Sequence, residues 1–311
     1  MSFKKANQLG KDGIPFLIVS DYKKENVLTI PLSELNKNDI EFSIEDKNIS
    51  YRKINFQKTP VLIGEYKEKF KKIIDSIKNG YTYVMNLTQE TEVCIDSDLK
   101  EIYKYAKAKY KIRFKDKFIS YSPETFIKIE NNLISTFPMK GTLDASILNG
   151  EEILLNNPKE SAEHIMIVDL LRNDLNMISS KVRVERFKYI EKINTGDKEL
   201  LQMSSKIVGN LESGWEGRIG DILETMLPAG SITGTPKIKT VELIDKVEEY
   251  ERGFFTGIFG VFQNGKFDSG VMIRFLENRN GKFIYKSGGG ITLDSDFDSE
   301  YREMIEKVYL F

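Results

Sequence analysis

An α+β fold with large antiparallel sheets is the class this sequence predicts, and three observations predict it. Runs rich in β-branched and aromatic residues recur along the chain. Several are joined by two-residue Asn-Asn or Asn-Gly turns, the mark of hairpins. Helix-period segments are interspersed among them without strict βαβ alternation.

The elements follow in order. The first 60 residues read as polar and short-stranded, with IPFLIV (14–19) as their best strand. Residues 66–79 place Phe70, Ile73, Ile74 and Ile77 at helical spacing, and Gly80 stops the helix. YTYVMNLTQETEV (81–93) reads as a strand. FISYSPETFIKIENNLISTFPMKGT (118–142) reads as strand, turn at Asn131-Asn132, and strand, which predicts that Ser122-Pro123-Glu124 lies near Lys140. Residues 158–172 form a helix with Pro158 in its first turn. Residues 214–227 and 237–249 are two more. From 254 to 290, Asn264-Gly265 and Asn280-Gly281 separate strand-like runs and predict a three-strand meander. Residues 298–311 close the chain as a helix.

The bulk composition is that of an ordinary soluble protein. The 311 residues are 40% hydrophobic and 30% charged, with a formal net charge of −1. Such a balance gives no basic field for nucleic acid. One cysteine, Cys94, excludes an intrachain disulfide. IPFLIV is too short for a signal sequence or membrane span, and no other apolar run approaches about 20 residues. A cytoplasmic protein without membrane or nucleic-acid partners is expected.

Several residues have the type and spacing for chemistry. Glu160 and Glu163 share one helical face, and Glu300 and Glu303 share another. Two such faces together would suit Mg²⁺, which takes a few carboxylates plus water and substrate oxygens. Each pair alone also reads as solvated acids. His164, the only histidine, reads as structural. IVDLLRNDL (167–175) reads as a helix end with charged pairs. PAGSITGTPK (228–237) can receive an anion through backbone N–H groups and the following helix, although it lacks P-loop spacing. Gly288-Gly289-Gly290 would allow close backbone approach to a ligand, or simply a flexible turn. Arg274, in the strand-like VMIRF, calls for a carboxylate partner. Lys140 in STFPMKGT is either a solvated loop cation or a nucleophile. Together these elements point to a small polyanionic substrate with Mg²⁺.

Six motifs then stand in a recognisable order: SPETF, FPMKGT, AEHIMIVDLLRNDL, PAGSITGTPK, GIFG with MIRF, and GGGITLDSD with EYREM. In this order they resemble the chorismate-utilising enzymes over roughly residues 65–311. The resemblance implies one chorismate-binding domain over 1–311, with 1–64 a shortened N-terminal part and 65–311 the catalytic core. It implies an α/β sandwich of two large antiparallel sheets flanked by helices. By resemblance Glu163 and Glu303 hold Mg²⁺, with Glu160 and Glu300 as nearby acids. Arg274 grips the pyruvyl carboxylate. Gly141, Thr142, Ser231, Thr233, Gly234, Gly289, Gly290 and Lys237 line the substrate.

Glu124 fills the place of the family's general acid, which must stay protonated near neutral pH through burial or a neighbouring acid. The water-adding relatives carry a basic lysine where this chain has Val84, which argues against isochorismate or salicylate synthesis. Lys140, sixteen residues after Glu124, matches the lysine of aminodeoxychorismate synthases, where anthranilate synthases carry Ala. Gln202 stands where anthranilate-forming relatives have a His tied to pyruvate elimination. The implied reaction is chorismate plus ammonia to 4-amino-4-deoxychorismate, through covalent attack by Lys140. The product would go to a separate aminodeoxychorismate lyase, toward 4-aminobenzoate and folate.

Neither an amidotransferase nor a lyase domain is recognisable. Ammonia is therefore expected from a separate glutamine amidotransferase subunit or from solution. Phe255 replaces the usual Tyr and removes a hydroxyl from the pyruvyl site. The short N-terminal part argues against a complete tryptophan pocket. Anthranilate synthase component I and a catalytically weakened chorismate-binding subunit are the alternatives.

Overall fold

The computed structural model describes residues 2–45, 54–194 and 199–310. In chain order the elements begin with α1 (Ser2–Lys11), β1 (Phe16–Ser20), β2 (Val27–Pro31), β3 (Ile40–Ile44), β4 (Phe56–Thr59), α2 (Ile63–Lys78), β5 (Val84–Ile95) and α3 (Leu99–Tyr105). Next come β6 (Tyr110–Phe114), β7 (Phe118–Ser122), β8 (Thr125–Glu130), β9 (Leu133–Thr136), β10 (Met139–Asp144), α4 (Gly150–Asn156), α5 (Pro158–Asn176), β11 (Ser180–Asn194) and β12 (Glu199–Asn210). The last are α6 (Ile219–Met226), β13 (Gly234–Thr235), α7 (Lys237–Glu248), β14 (Ile258–Gln263), β15 (Lys266–Val271), β16 (Phe275–Arg279), β17 (Lys282–Ile291) and α8 (Phe297–Glu306).

The chain divides into two compact units. One comprises Met1–Leu35, Pro123–Ser231 and Ile258–Val271; the other comprises Asn36–Ser122, Ile232–Gly257 and Met272–Phe311. Each holds one antiparallel sheet with helices, as the α+β class predicts. Among the described residues, no helix is long and apolar enough to cross a membrane.

The first unit carries a sheet in the order β10-β12-β9-β8-β15-β14-β1-β2, with β11 also paired to β12. Its β8–β9 hairpin turns at Asn131-Asn132, both at positive φ (51° and 58°), as asparagine tolerates. β10 rests on a small core of Leu154, Leu201 and Met203, with Leu143 and Ile190 against it. Helix α1 was not foreseen; the opening residues read as strand and polar loop. Asn7 fixes it, since its Oδ1 accepts from Gly220 N (2.6 Å) and its Nδ2 donates to Asp221 (2.7 Å) at the start of α6. Asn7 thus satisfies a helix-start N–H from another element.

The second unit carries a sheet in the order β13-β5-β17-β16-β7-β6-β3, with β4 paired to β5. A buried ion pair braces it. Arg252 and Glu248 are 2% and 1% exposed and 2.6 Å apart. Glu248 Oε1 also accepts from Thr88 N and Oγ1, both at 2.8 Å. Arg252 donates to the carbonyls of Ile232 and Asn86, both at 2.9 Å. With its remaining lone pairs and protons satisfied in this way, a buried pair is tolerable, and it ties the 232–234 segment to β5.

Two strand expectations are corrected. The three-strand meander is two separate hairpins: β14–β15 in the first unit and β16–β17 in the second. Asn-Gly turns specify local pairing, not which sheet receives the pair. The 118–142 segment is not one long hairpin either. β9 ends at Thr136, and β10 pairs β12, with Ser205 N donating to the Pro138 carbonyl (3.0 Å). Proline has no N–H for the ladder, so the hairpin stops there and does not carry Lys140 opposite Glu124.

Candidate active site

In the first unit, Lys140, Gly141 and Thr142 lie on β10. The β10–β12 register runs Met139↔Ser204 and Thr142↔Gln202, so one extra residue sits on β10 as a bulge. Gly141 has φ +75°, and a Cβ there would lie 2.9 Å from Leu154 Cδ1 and 3.0 Å from Glu160 Oε2. The left-handed conformation favours glycine here, while the two side-chain ends could move aside for a Cβ. The bulge presents Lys140, whose Nζ donates to Glu163 Oε2 at 3.3 Å, with side-chain exposures of 26% and 13%. The solvated-loop reading of Lys140 does not hold, because the amine is half-buried against a specific carboxylate.

Glu160 and Glu163 lie on one face of α5. Its start is set by Pro158 at the first position and by the Asn157 side chain, which accepts from Glu160 N (3.1 Å). Asp169 and Arg172 form an exposed pair at 3.0 Å, as the helix-end reading anticipated. Glu124 sits half-buried before β8, and its carboxylate accepts from the Ser231 hydroxyl. Its carbonyl accepts from Val271 N (3.1 Å).

His164 is fully buried, 2.7 Å from Ser205 Oγ, which also accepts from Lys188 N (3.0 Å). Burial first, then Lys188 and Lys140, push its pKa down to about 4. The unfolded chain therefore binds this proton more tightly. The resulting stability is whole above about pH 6.5 and is lost as pH falls through about 4. His164→Gln should remove about 2–3 kcal/mol of the stability difference between pH 7 and pH 4.5, read as wild type minus variant in urea unfolding. Equal pH slopes in the two proteins would contradict the assignment.

In the second unit, Thr233 is buried and its carbonyl accepts from Asn86 N (2.8 Å). Gly234 has φ +140°, and a Cβ there would be 1.9 Å from the Val84 carbonyl. That approach pairs Gly234 with Met85 and buried Val84 with Thr235. Lys237 opens α7. Arg274 has φ +49°, outside the strand expected for it, and its guanidinium carbon lies 5.1 Å over the Tyr309 ring. Phe255 is buried, with its ring 5.9 Å from that of Phe275.

Gly288, Gly289 and Gly290 lie in β17, opposite Thr88, Leu87 and Asn86, so they are strand rather than flexible turn. A Cβ on Gly289 would lie 3.5 Å from Glu300 Oε2 and 3.8 Å from Glu303 Oε1. Glu300 is buried and accepts from Ser295 Oγ (2.8 Å). Glu303 pairs with Lys307 (2.7 Å), whose Nζ also donates to the Gly288 carbonyl (2.9 Å). Burial, then the charges of Glu300 and Glu303, raise the Tyr66 hydroxyl well above its ordinary pKa.

Among the described residues, no group of three or more His, Cys, Asp or Glu side chains is gathered for one metal ion. The acids nonetheless fit Mg²⁺ by donor type. Each unit has two hard carboxylates on one helix face, with no thiol or imidazole in the set. Sequence reasoning missed Lys307 and the contacts of Gln202. The first was readable as an i,i+4 partner of Glu303; the second depends on the β10–β12 register.

Comparison with known proteins follows the same line. The family profile described as chorismate binding enzyme matches residues 21–311. An uncharacterized PabA-like protein of Haemophilus influenzae is 43% identical over 312 residues, 99% of this chain and 95% of that one. Aminodeoxychorismate synthase component 1 of Salmonella typhimurium is 31% identical over 261 residues, 78% of this chain and 56% of that one. The crystal structure of anthranilate synthase component I from Streptococcus pneumoniae superposes with a TM-score of 0.66 at 25% identity, covering 94% of this chain and 70% of that one.

Proposed function

The chain belongs to the chorismate binding enzymes, and on that footing we propose that it makes 4-amino-4-deoxychorismate from chorismate and ammonia, as an aminodeoxychorismate synthase component 1. The observation that carries this reading is Lys140: an amine lifted on a glycine bulge and held half-buried against Glu163. A lysine so placed is directed at one site rather than left to solvent, as a nucleophile must be once its amine is neutral.

In the proposed first step the free amine of Lys140 attacks ring carbon 2. Both ring double bonds shift, carbon 1–carbon 2 to carbon 1–carbon 6 and carbon 5–carbon 6 to carbon 4–carbon 5, the bond from carbon 4 to its hydroxyl breaks, and Glu124 delivers the proton with which that hydroxyl leaves as water. Ammonia then adds at carbon 4, both double bonds shift back, the bond to Lys140 breaks to release its neutral amine, and the Glu124 carboxylate takes up a proton from the new ammonium group. The Ser231 hydroxyl, donating to Glu124, orients that carboxyl. Arg274 would hold the pyruvyl carboxylate. Gly141, Thr142, Thr233, Gly234, Lys237, Gly289 and Gly290 are the proposed substrate contacts. Glu163 and Glu303, with Glu160 and Glu300 beside them, are the proposed carboxylates for Mg²⁺, which when bound would offset the charge of the ring carboxylate. Were Glu163 engaged with Mg²⁺, Lys140 would lose its anionic partner.

Ammonia would come from a separate glutamine amidotransferase or from solution, and a separate lyase would take the product. A second reading, anthranilate synthase component I, is supported by the likeness to the Streptococcus pneumoniae structure. The two differ in whether pyruvate is kept. Incubation with chorismate, Mg²⁺ and ammonium should yield aminodeoxychorismate, converted to 4-aminobenzoate when aminodeoxychorismate lyase is added. Direct release of anthranilate and pyruvate would overturn the proposal.

A further inference from the structure

Gln202 faces the β10 bulge from β12, and both ends of its side-chain amide are used there. Its Nε2 donates to the Gly141 carbonyl at 2.8 Å, and its Oε1 accepts from Thr142 Oγ1 at 3.0 Å. The pairing is chemically selective. Gly141 offers an acceptor and Thr142 a donor, and one primary amide matches both, whereas a carboxylate or an aliphatic side chain cannot. The bonds fall where the regular ladder fails, between Met139↔Ser204 and Thr142↔Gln202. A bulge leaves backbone groups without their ladder partners; here the side chain of the opposing strand supplies one.

Lys140 is the residue immediately before this clamp. Gly141, at φ +75° and packed against Leu154 and Glu160, sets the direction in which the Lys140 side chain leaves the strand. That direction brings Nζ to Glu163.

We propose that Gln202 is a positioning residue that fixes Lys140 by clamping the bulge at Gly141 and Thr142. The inference rests on the reading of Lys140 as the nucleophile. In that reading a displacement of about 1 Å at the amine is enough to cost about 100-fold in rate. Gln202 forms no bond to the reacting atoms; it acts through the backbone that carries them.

Gln202→Ala should lower kcat by about 10–100-fold, with any rise in the KM for chorismate smaller than that fall, since the freed Gly141 and Thr142 are also proposed substrate contacts. Gln202→Glu, which keeps the acceptor for Thr142 but loses the donor to Gly141, should fail to restore it. In a Lys140→Ala background, Gln202→Ala should have no further effect on residual turnover, because it acts through the missing amine. An equal loss in both backgrounds would overturn the proposal, as would a loss carried by KM. A readout independent of product covers the other failure. Carbamylation of Lys140 by cyanate, followed by peptide mass spectrometry, should quicken severalfold in Gln202→Ala at unchanged thermal midpoint. An unchanged labelling rate sinks the clamp even in an active enzyme. Formation of anthranilate by the wild type sinks the functional reading and leaves the labelling result to judge the clamp.

Discussion

Lys140→Ala should abolish aminodeoxychorismate synthesis, with kcat reduced by roughly 10³-fold or more, the scale on which loss of a nucleophile acts. Lys140→Arg should not rescue it, because a guanidinium stays protonated and cannot attack carbon. In the wild type without ammonium, chorismate should leave the Lys140 peptide carrying the dehydrated chorismate skeleton, detectable by mass spectrometry after rapid acid quench. Thermal unfolding measured alongside separates lost chemistry from lost fold, since the Lys140–Glu163 pair is only partly buried. If the alanine variant keeps aminodeoxychorismate synthesis within tenfold of wild type, covalent catalysis is wrong.

Glu124→Gln should lower kcat by about 10²–10⁴-fold, the range set by removal of a general acid, with little change in KM. Glutamine matches glutamate in size and still accepts the hydrogen bond from Ser231, but it has no proton to give a departing hydroxyl. The substitution therefore isolates the acid role from the positioning role. Product analysis with chorismate and saturating ammonium is the measurement. A loss smaller than tenfold would remove Glu124 from the mechanism and point to another proton source.

What could be read from the sequence was local or chemical. Pro158 and the residues after it announced α5, and Asn157 caps it in the structure. Asn131-Asn132, Asn264-Gly265 and Asn280-Gly281 each mark a real turn. The motif order pointed to the family that the match over residues 21–311 establishes. What could not be read was which strand receives which. β10 leaves its hairpin at Pro138 for β12, and the 254–290 hairpins divide between two sheets, because pairing partners far apart in sequence decide both. Helix α1 escaped because its anchor, Asn7, bonds to residues more than 200 positions away.

The sequence singles out Lys140 by its spacing from Glu124, but a hairpin pairing with Glu124 is not what the structure gives it. Its amine meets Glu163 instead, and Gln202 bonds to the Gly141 that follows it. Gln202 itself was noticed only as a residue that cannot do another enzyme's chemistry. Its two hydrogen bonds require the register of β10 on β12, which no local pattern encodes.

The burial of His164 has a consequence for kinetics. It is the chain's one histidine, and its titration is displaced to about 4. Among side chains with unperturbed values, histidine alone changes charge between pH 5 and 7, so this protein carries no silent imidazole to blur that interval. A pH–rate profile of the enzyme is accordingly a nearly background-free instrument. An inflection between pH 5 and 7 reports a group whose environment has been tuned for the reaction, and its loss in Glu124→Gln will tell whether that group is Glu124.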